Sequence, residues 1–224
     1  MSAVDDAMKL FPVQPFDYER DIASAMSACS FGIIGSSKCG KTTFLKYLLK
    51  KIFDEDIKIF QTQSPQATIY DNIKKESVFC PAFIPDIIKE CYMINRDTKN
   101  HYKFCIIIDD VADIKAKNHA QMSKLLCLYR NSNMSAVVCG QDYTLLNANG
   151  RANVNNICLF HQNTDNRIED NIRIFLRSYF PRKLSIEEKI ELYKRLTADH
   201  HFLFINNLEG TIQRCKLKPS QIMD

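Results

Sequence analysis

The sequence has no apolar run near the ~18 residues needed to cross a bilayer, so no transmembrane helix is expected. Residues 1–17 carry acidic side chains and lack a basic segment leading into an apolar one, so no secretory leader is expected either. None of the nine cysteines pairs as C-x-x-C, and their count is odd. Cys105, Cys139 and Cys158 stand inside apolar, strand-like runs, where a free thiol behaves as a small hydrophobe. The setting this implies is intracellular and reducing. The histidines, His200 and His201 among them, show no zinc-like spacing. There is no internal repeat, no low-complexity segment, and no Asn-Lys-x-Asp motif of the kind that reads guanine in GTPases. The net charge of +4 is a mild basic excess that permits nucleic-acid contact without arguing for it.

What is present suits one domain. With 224 residues, 46% of them hydrophobic and 25% charged, the chain can bury a single core and has little room for a second. Residues 1–28 read as an irregular arm and a lead-in helix, with Phe11 and Phe16 packing onto the domain that follows at residues 29–224.

The stretch around which the rest is organised is Gly35-Ser36-Ser37-Lys38-Cys39-Gly40-Lys41-Thr42, followed by Thr43. It fits G-x-x-x-x-G-K-[ST], the phosphate-binding P-loop, and stands between a short apolar strand at 31–34 and a helix at 43–53. That is the geometry in which successive backbone N–H groups and a helix N-terminus can hold the phosphates of ATP. Gly35 and Gly40 allow positive φ and close backbone approach. Lys41 would reach the β- and γ-phosphate oxygens, and Thr42 would place its hydroxyl oxygen on Mg2+. A glycine turn without a ligand is the bland alternative.

A second apolar run, Phe104 to Ile108 after Lys103, ends in Asp109 and Asp110. Such a run reads as a strand buried on both faces of a parallel sheet, and in open α/β sheets the functional groups collect at the strands' carboxyl ends. Asp109 would hold the magnesium shell and Asp110 would orient or deprotonate the attacking water, as in a Walker B segment. A third strand, 135–139, is closed by Gly140-Gln141-Asp142. Gln141 would stand beside Asp109 if the two strands are neighbours, where its amide could bond both the γ-phosphate and a water; a turn residue is the alternative. Arg151 precedes a strand at 157–161 and reads either as an arginine finger supplied to a neighbouring subunit or as a surface arginine.

The remaining elements are coarser. Helices are expected at 17–28, 85–98, 119–131, 143–148, 165–179 and from a capping box at Ser185-Ile186-Glu187-Glu188. Residues 56–60 read as a strand and 66–76 as a helical or irregular connection. The strands 202–206 and 211–215, joined through Asn207-Leu208-Glu209-Gly210, read as a hairpin.

The order of a P-loop on the first strand, Ile-Ile-Ile-Asp-Asp on a later one, and Gly-Gln-Asp after the next resembles the FtsK–HerA superfamily of P-loop motor ATPases. The compact form is similar to the genome-packaging ATPases of large DNA viruses, the poxvirus type. Residues 129–142 look like that family's passage from helix to sensor strand, and Gly150-Arg151-Ala152-Asn153 like its arginine-bearing turn. The resemblance covers residues 30–161. It implies a RecA-like α/β fold with a mostly parallel sheet between helices, and ATP hydrolysis coupled to moving double-stranded DNA into a preformed capsid at a virus assembly site. It also implies a homo-oligomeric ring, a hexamer or pentamer, and capsid or membrane-associated virion partners. Asp110 departs from the Glu common in the superfamily and is one methylene shorter, so the water would have to come closer or the strand end shift. Lys115 and Lys117, on the loop after the carboxylates, would face the channel of such a ring or simply face solvent.

Two other functions fit parts of the sequence. A nucleoside or nucleotide kinase would need an arginine-rich lid, for which Arg173, Arg177 and Arg182 offer themselves, though their spacing fits one outer helix face. A nucleotide-gated adaptor without turnover would have no need of Asp110 and Gln141.

Overall fold

A computed structural model describes residues 2–22, 28–62, 77–109, 120–146, 148–163 and 165–223. Among the described residues nine strands form one sheet: β1 Val13–Pro15, β2 Ser30–Ile34, β3 Ile57–Thr62, β4 Ser77–Cys80, β5 Phe104–Asp109, β6 Met134–Gly140, β7 Asn156–Leu159, β8 Phe202–Asn206 and β9 Thr211–Lys216. Their spatial order is β1-β9-β8-β7-β2-β6-β5-β3-β4. The pairings among β7, β2, β6, β5, β3 and β4 are parallel, as is β1 on β9; β8 runs against both its neighbours. The expected α/β architecture, mostly parallel sheet and terminal hairpin are therefore present.

Why the central strands read as unbroken apolar runs is clear from their two faces. Along β5, Phe104, Ile106 and Ile108 belong to one core and Cys105 and Ile107 to the other; β6 divides in the same way between Ala136 and Val138 on one side and Val137 and Cys139 on the other. Both faces are covered, so period-two alternation is lost while the run stays hydrophobic. All nine cysteines are unpaired and eight are buried, as small apolar fillers.

The helices are α1 Ala3–Met8, α2 Tyr18–Asp21, α3 Lys41–Lys51, α4 Pro85–Asp97, α5 Ala120–Cys127, α6 Ala148–Asn153, α7 Asp165–Tyr179, α8 Ile186–Thr197 and α9 Pro219–Met223. One face of the sheet packs on α1, α4, α5, α7 and α8, through residues such as Val4, Ile88, Met122, Phe175 and Tyr193. The other carries α3, whose Phe44, Leu45, Leu48 and Leu49 bury against Phe31, Ile33 and Phe204. Ser185 and Glu188 cap α8 reciprocally, at 3.2 and 2.8 Å, as the sequence predicts.

Several expectations need correction. The arm is not irregular: Ser2 and Asp5 form a capping box for α1, and β1 joins the sheet. Of the lead-in helix expected at 17–28, the described residues carry one turn, Tyr18–Asp21, ended by the extended Ile22; residues 23–27 lie outside the described residues. The helix expected at 119–131 stops at Cys127 and continues as a 3-10 turn, Tyr129–Ser132. A 3-10 turn, Tyr143–Leu145, and α6 replace the helix expected at 143–148, so Arg151 lies inside a helix rather than on a loop. Strand β4 and helix α9 had no sequence signal. The connection at 66–76 and the loop bearing Lys115 and Lys117 lie outside the described residues. Among the described residues, no helix is long and apolar enough to cross a membrane.

Candidate nucleotide-binding site

β2 delivers its chain end between β6 and β7, and both neighbours hold the first residues of the P-loop. Gly35 N–H donates to the Gly140 carbonyl at 3.1 Å and Ser36 N–H to the His161 carbonyl at 2.9 Å. The loop then turns through Lys38 (φ 64°) and Gly40 (φ 106°), both left-handed. Gly40 is the N-cap of α3 and contributes no side-chain cap, so the first-turn N–H groups are left without a side-chain acceptor, an arrangement in which an anion could serve as one. Gly35 serves a different need from the one its sequence context suggests. Its φ is not positive; a Cβ there would stand 2.6 Å from Phe160 Cβ and 2.9 Å from Cys39 Sγ. Glycine is required at that position by crowding, and at Gly40 by backbone conformation.

The other P-loop side chains separate by exposure. Ser37, Lys38 and Thr42 are exposed, Lys41 and Thr43 half-buried, and Ser36 and Cys39 buried. Burial pushes the Cys39 thiol above its ordinary value, so it packs as an apolar group. Lys41 folds over the loop and donates from Nζ to the carbonyls of Gly35 at 2.6 Å and Ser36 at 2.7 Å. Ser36 Oγ donates to Gln162 Oε1 at 3.0 Å and accepts from Asn163 N–H at 3.0 Å, while Gln162 Nε2 donates to the Gln141 carbonyl at 2.9 Å.

Asp109 closes β5, half-buried, in register with Thr62 on one side and Cys139 on the other. Since β6 lies between β2 and β5, the P-loop, Gln141 and Asp109 sit at the carboxyl ends of three successive strands. Thr42 and Asp109 offer oxygen donors only, a set suited to a hard cation such as Mg2+. Among the described residues no cluster of three or more His, Cys, Asp or Glu side chains is placed to hold a metal, so a cation here would draw further ligands from phosphate and water. Asp110 lies outside the described residues. Arg151 is half-buried; its guanidinium donates to the Leu146 carbonyl and lies 5.6 Å from the centre of the Tyr143 ring. Arg173, Arg177 and Arg182 are exposed, the first two on α7.

Next to the first turn of α3 opens a cleft of about 410 Å³. It is lined by Lys38 and Gly40 to Thr43 on the loop side, by Phe160 from the end of β7, and by His200, Phe202, Lys216, Leu217 and Ile222 from the C-terminal part of the chain. His200 reaches it through a strained turn in which Asp199 (φ 55°) and His200 (φ 61°) are consecutive left-handed residues without being glycine. Sequence reasoning missed Gln162 and this whole C-terminal wall. Gln162 had a usable signal, since it follows an apolar strand as Gln141 does; the wall had none.

A model of the poxvirus A32 protein family matches residues 16–207. The chain belongs to that family. The P-loop, Asp109 and Gln141 all fall inside the match, whereas Lys216, Leu217 and Ile222 lie beyond it. No curated protein sequence matches the chain. Among solved structures, it is similar to the genome-packaging NTPase B204 of Sulfolobus turreted icosahedral virus 2 in complex with AMPPCP, at TM-score 0.57 and 16% identity over 86% of this chain and 99% of that one. The monomer form of the pCW3 conjugation coupling protein TcpA with ATPγS matches at TM-score 0.59 and 11% identity, over 93% and 73% of the two chains. The cytoplasmic domain of the Thermomonospora curvata type VII secretion ATPase EccC matches at TM-score 0.54 and 12% identity, over 86% and 24%. At these identities the likeness is one of fold, and the fold is that of the P-loop NTPases.

Proposed function

We propose that the chain is an ATP-hydrolysing motor that moves double-stranded DNA into a preformed capsid as one subunit of a homo-oligomeric ring. The observation that supports this most directly is the gathering of the P-loop, Asp109 and Gln141 at the carboxyl ends of three adjacent central strands, with Gln162 bonded to both the loop and the Gln141 backbone. In this reading the first-turn N–H groups of α3 bind the phosphates, and Lys41 exchanges its carbonyl partners for the β- and γ-phosphate oxygens. Thr42 and Asp109 would hold Mg2+, which when bound neutralises the charge that develops between those phosphates. Gln141 positions a water in line with the γ-phosphorus. As the water oxygen bonds to phosphorus, the bond to the bridging oxygen breaks, and Asp110 receives the water's proton. Arg151 acts on the site of a neighbouring subunit, and must first release Leu146 and Tyr143. The buried, unpaired cysteines fit an intracellular, reducing site of assembly.

Steady-state hydrolysis, measured with and without double-stranded DNA over a range of protein concentrations, tests the proposal. A rate that climbs faster than linearly with protein and rises again with DNA supports it. Hydrolysis unaffected by Lys41→Ala would sink the enzyme assignment. A slow rate linear in protein and indifferent to DNA would count against the ring motor.

A further inference from the structure

The cleft beside α3 has two unlike halves. On the loop side are backbone amides and the side chains of Lys41, Thr42 and Thr43, chemistry suited to phosphate. On the other side Phe202, Leu217 and Ile222, from β8, the residue after β9, and α9, give an apolar surface flanked by His200 and Lys216. Phe202 is stacked on Phe160, with ring centroids 4.8 Å apart and planes 21° apart, so the floor is fixed. Phe202 and Leu217 are almost fully buried, while Ile222 is 54% exposed and leaves apolar surface open at the mouth of the cleft.

The tail that carries Ile222 is anchored. Gln221 Nε2 donates to the Phe16 carbonyl at 3.0 Å and to the Tyr47 hydroxyl at 3.0 Å, and Gln221 Oε1 accepts from Lys218 N–H at 2.7 Å. Tyr47 belongs to α3 and Phe16 to the N-terminal arm. The tail is therefore held to the helix whose first turn faces the phosphates, and Ile222 is presented to the cleft by a fixed support.

We infer that the C-terminal side of the cleft is the base subsite of the nucleotide: a purine ring lies over Leu217 and Ile222, above the buried Phe202, while its phosphates occupy the loop. A volume of about 410 Å³ suits a mononucleotide. A flat ring gives up little conformational freedom on binding, and covering the exposed face of Ile222 removes apolar surface from water. The inference rests on the phosphate-binding reading of the P-loop. It also assigns a role to residues past 207, outside the span shared with the family.

Titration calorimetry of the full chain with ATP and with inorganic tripolyphosphate separates the two halves. Ile222→Ser, a change at an exposed position, is expected to weaken ATP about fivefold to tenfold, near the ~1 kcal/mol worth of a buried methylene group or two, and to leave tripolyphosphate within about twofold. Photolabelling with 8-azido-ATP is expected to mark peptides containing residues 200–204 or 216–223. Unchanged ATP affinity in the variant, an equal loss for both ligands, or labelling only elsewhere would overturn the base subsite. Lys41→Ala should weaken both ligands together; if it weakens neither, the phosphate assignment has failed instead.

Discussion

Ser36 and Gln162 share a hydrogen bond of 3.0 Å in which the P-loop hydroxyl donates and the Gln162 amide oxygen accepts. The same Gln162 donates to the Gln141 backbone at 2.9 Å, and its side chain is in effect sealed from solvent. Two strand ends and the phosphate loop are thereby bonded through one residue.

Replacing that residue should uncouple them. Gln162→Leu leaves the buried Ser36 hydroxyl without its acceptor and should cost about 1–3 kcal/mol of stability in urea unfolding. In steady-state kinetics we expect kcat to fall more than KM rises, because Gln141 loses its support while the loop amides remain. A double-mutant cycle with Ser36→Ala should give a coupling of about 0.5–3 kcal/mol; additive effects would dissolve the link.

Two glycines on one strand and its extension should behave differently. At Gly35 a methyl group meets Phe160 Cβ at 2.6 Å and the His161 carbonyl at 3.3 Å, atoms tied to the backbone. At Gly32 it meets the tip of Leu146, also at 2.6 Å, which a rotamer change can withdraw. Gly35→Ala should abolish the stabilisation that ATP gives in a thermal melt. Gly32→Ala should cost about 1–2 kcal/mol and keep the ATP response.

Asp56 gives a stability prediction with a definite sign in pH. Burial is the main cause that pushes its carboxyl up to about 6, against the opposing pull of Lys103 and Lys58. The folded chain thus holds this proton more tightly than the unfolded one, so stability contributed here is present below the unfolded value and is lost as pH rises from about 4 through 6. Asp56→Asn should stabilise the protein by about 1–2 kcal/mol at about pH 7.5, and by roughly half as much near pH 5, in parallel urea melts.

Phe16 ties the N-terminal arm to the cleft. Its ring is fully buried, with centroids 5.1 Å from Phe44, 5.8 Å from Phe202 and 5.2 Å from Phe204. Phe16→Ala should lose about 3–5 kcal/mol, a fall in Tm of roughly 10 °C for a chain of this size. Because Phe202 loses a neighbour, ATP affinity should drop as well; an unchanged affinity in the folded variant would show that the arm supports the fold alone.

Local chemistry explains which parts of this molecule could be read in advance. The P-loop needs fixed residue types at fixed spacing, and the strand 104–109 is apolar on both faces, so each announces itself over a few residues. The strand order that sets Gln141 between the loop and Asp109 follows from long-range pairing, yet the carboxyl-end rule anticipated it. Gln162 obeys the same rule and was passed over because Gln is an ordinary residue after a strand. The cleft wall is different in kind. Phe202, Leu217 and Ile222 look like hairpin and tail positions, and only the folding of β8, β9 and α9 against α3 turns them toward a ligand. Strand β4, with Val78 and Phe79 exposed at an edge, lacks the double burial that makes its neighbours conspicuous.

The parallel pairing of β1 with β9 joins residues from opposite ends of the sequence: Val13 with Arg214, Gln14 with Cys215 and Pro15 with Lys216. A ribosome that has already released the P-loop and its helix has still to release the strand on which these early residues will lie. Until then β1 has no partner, and Phe16 lacks the rings of Phe202 and Phe204. Synthesis order and assembly order therefore diverge, and the outermost strand at this side of the sheet waits for the last of the nine described strands to be made. A chain halted before residue 211 would carry an unpaired β8 edge and a loose leading segment, the kind of species that chaperones retain and that associates through open strands.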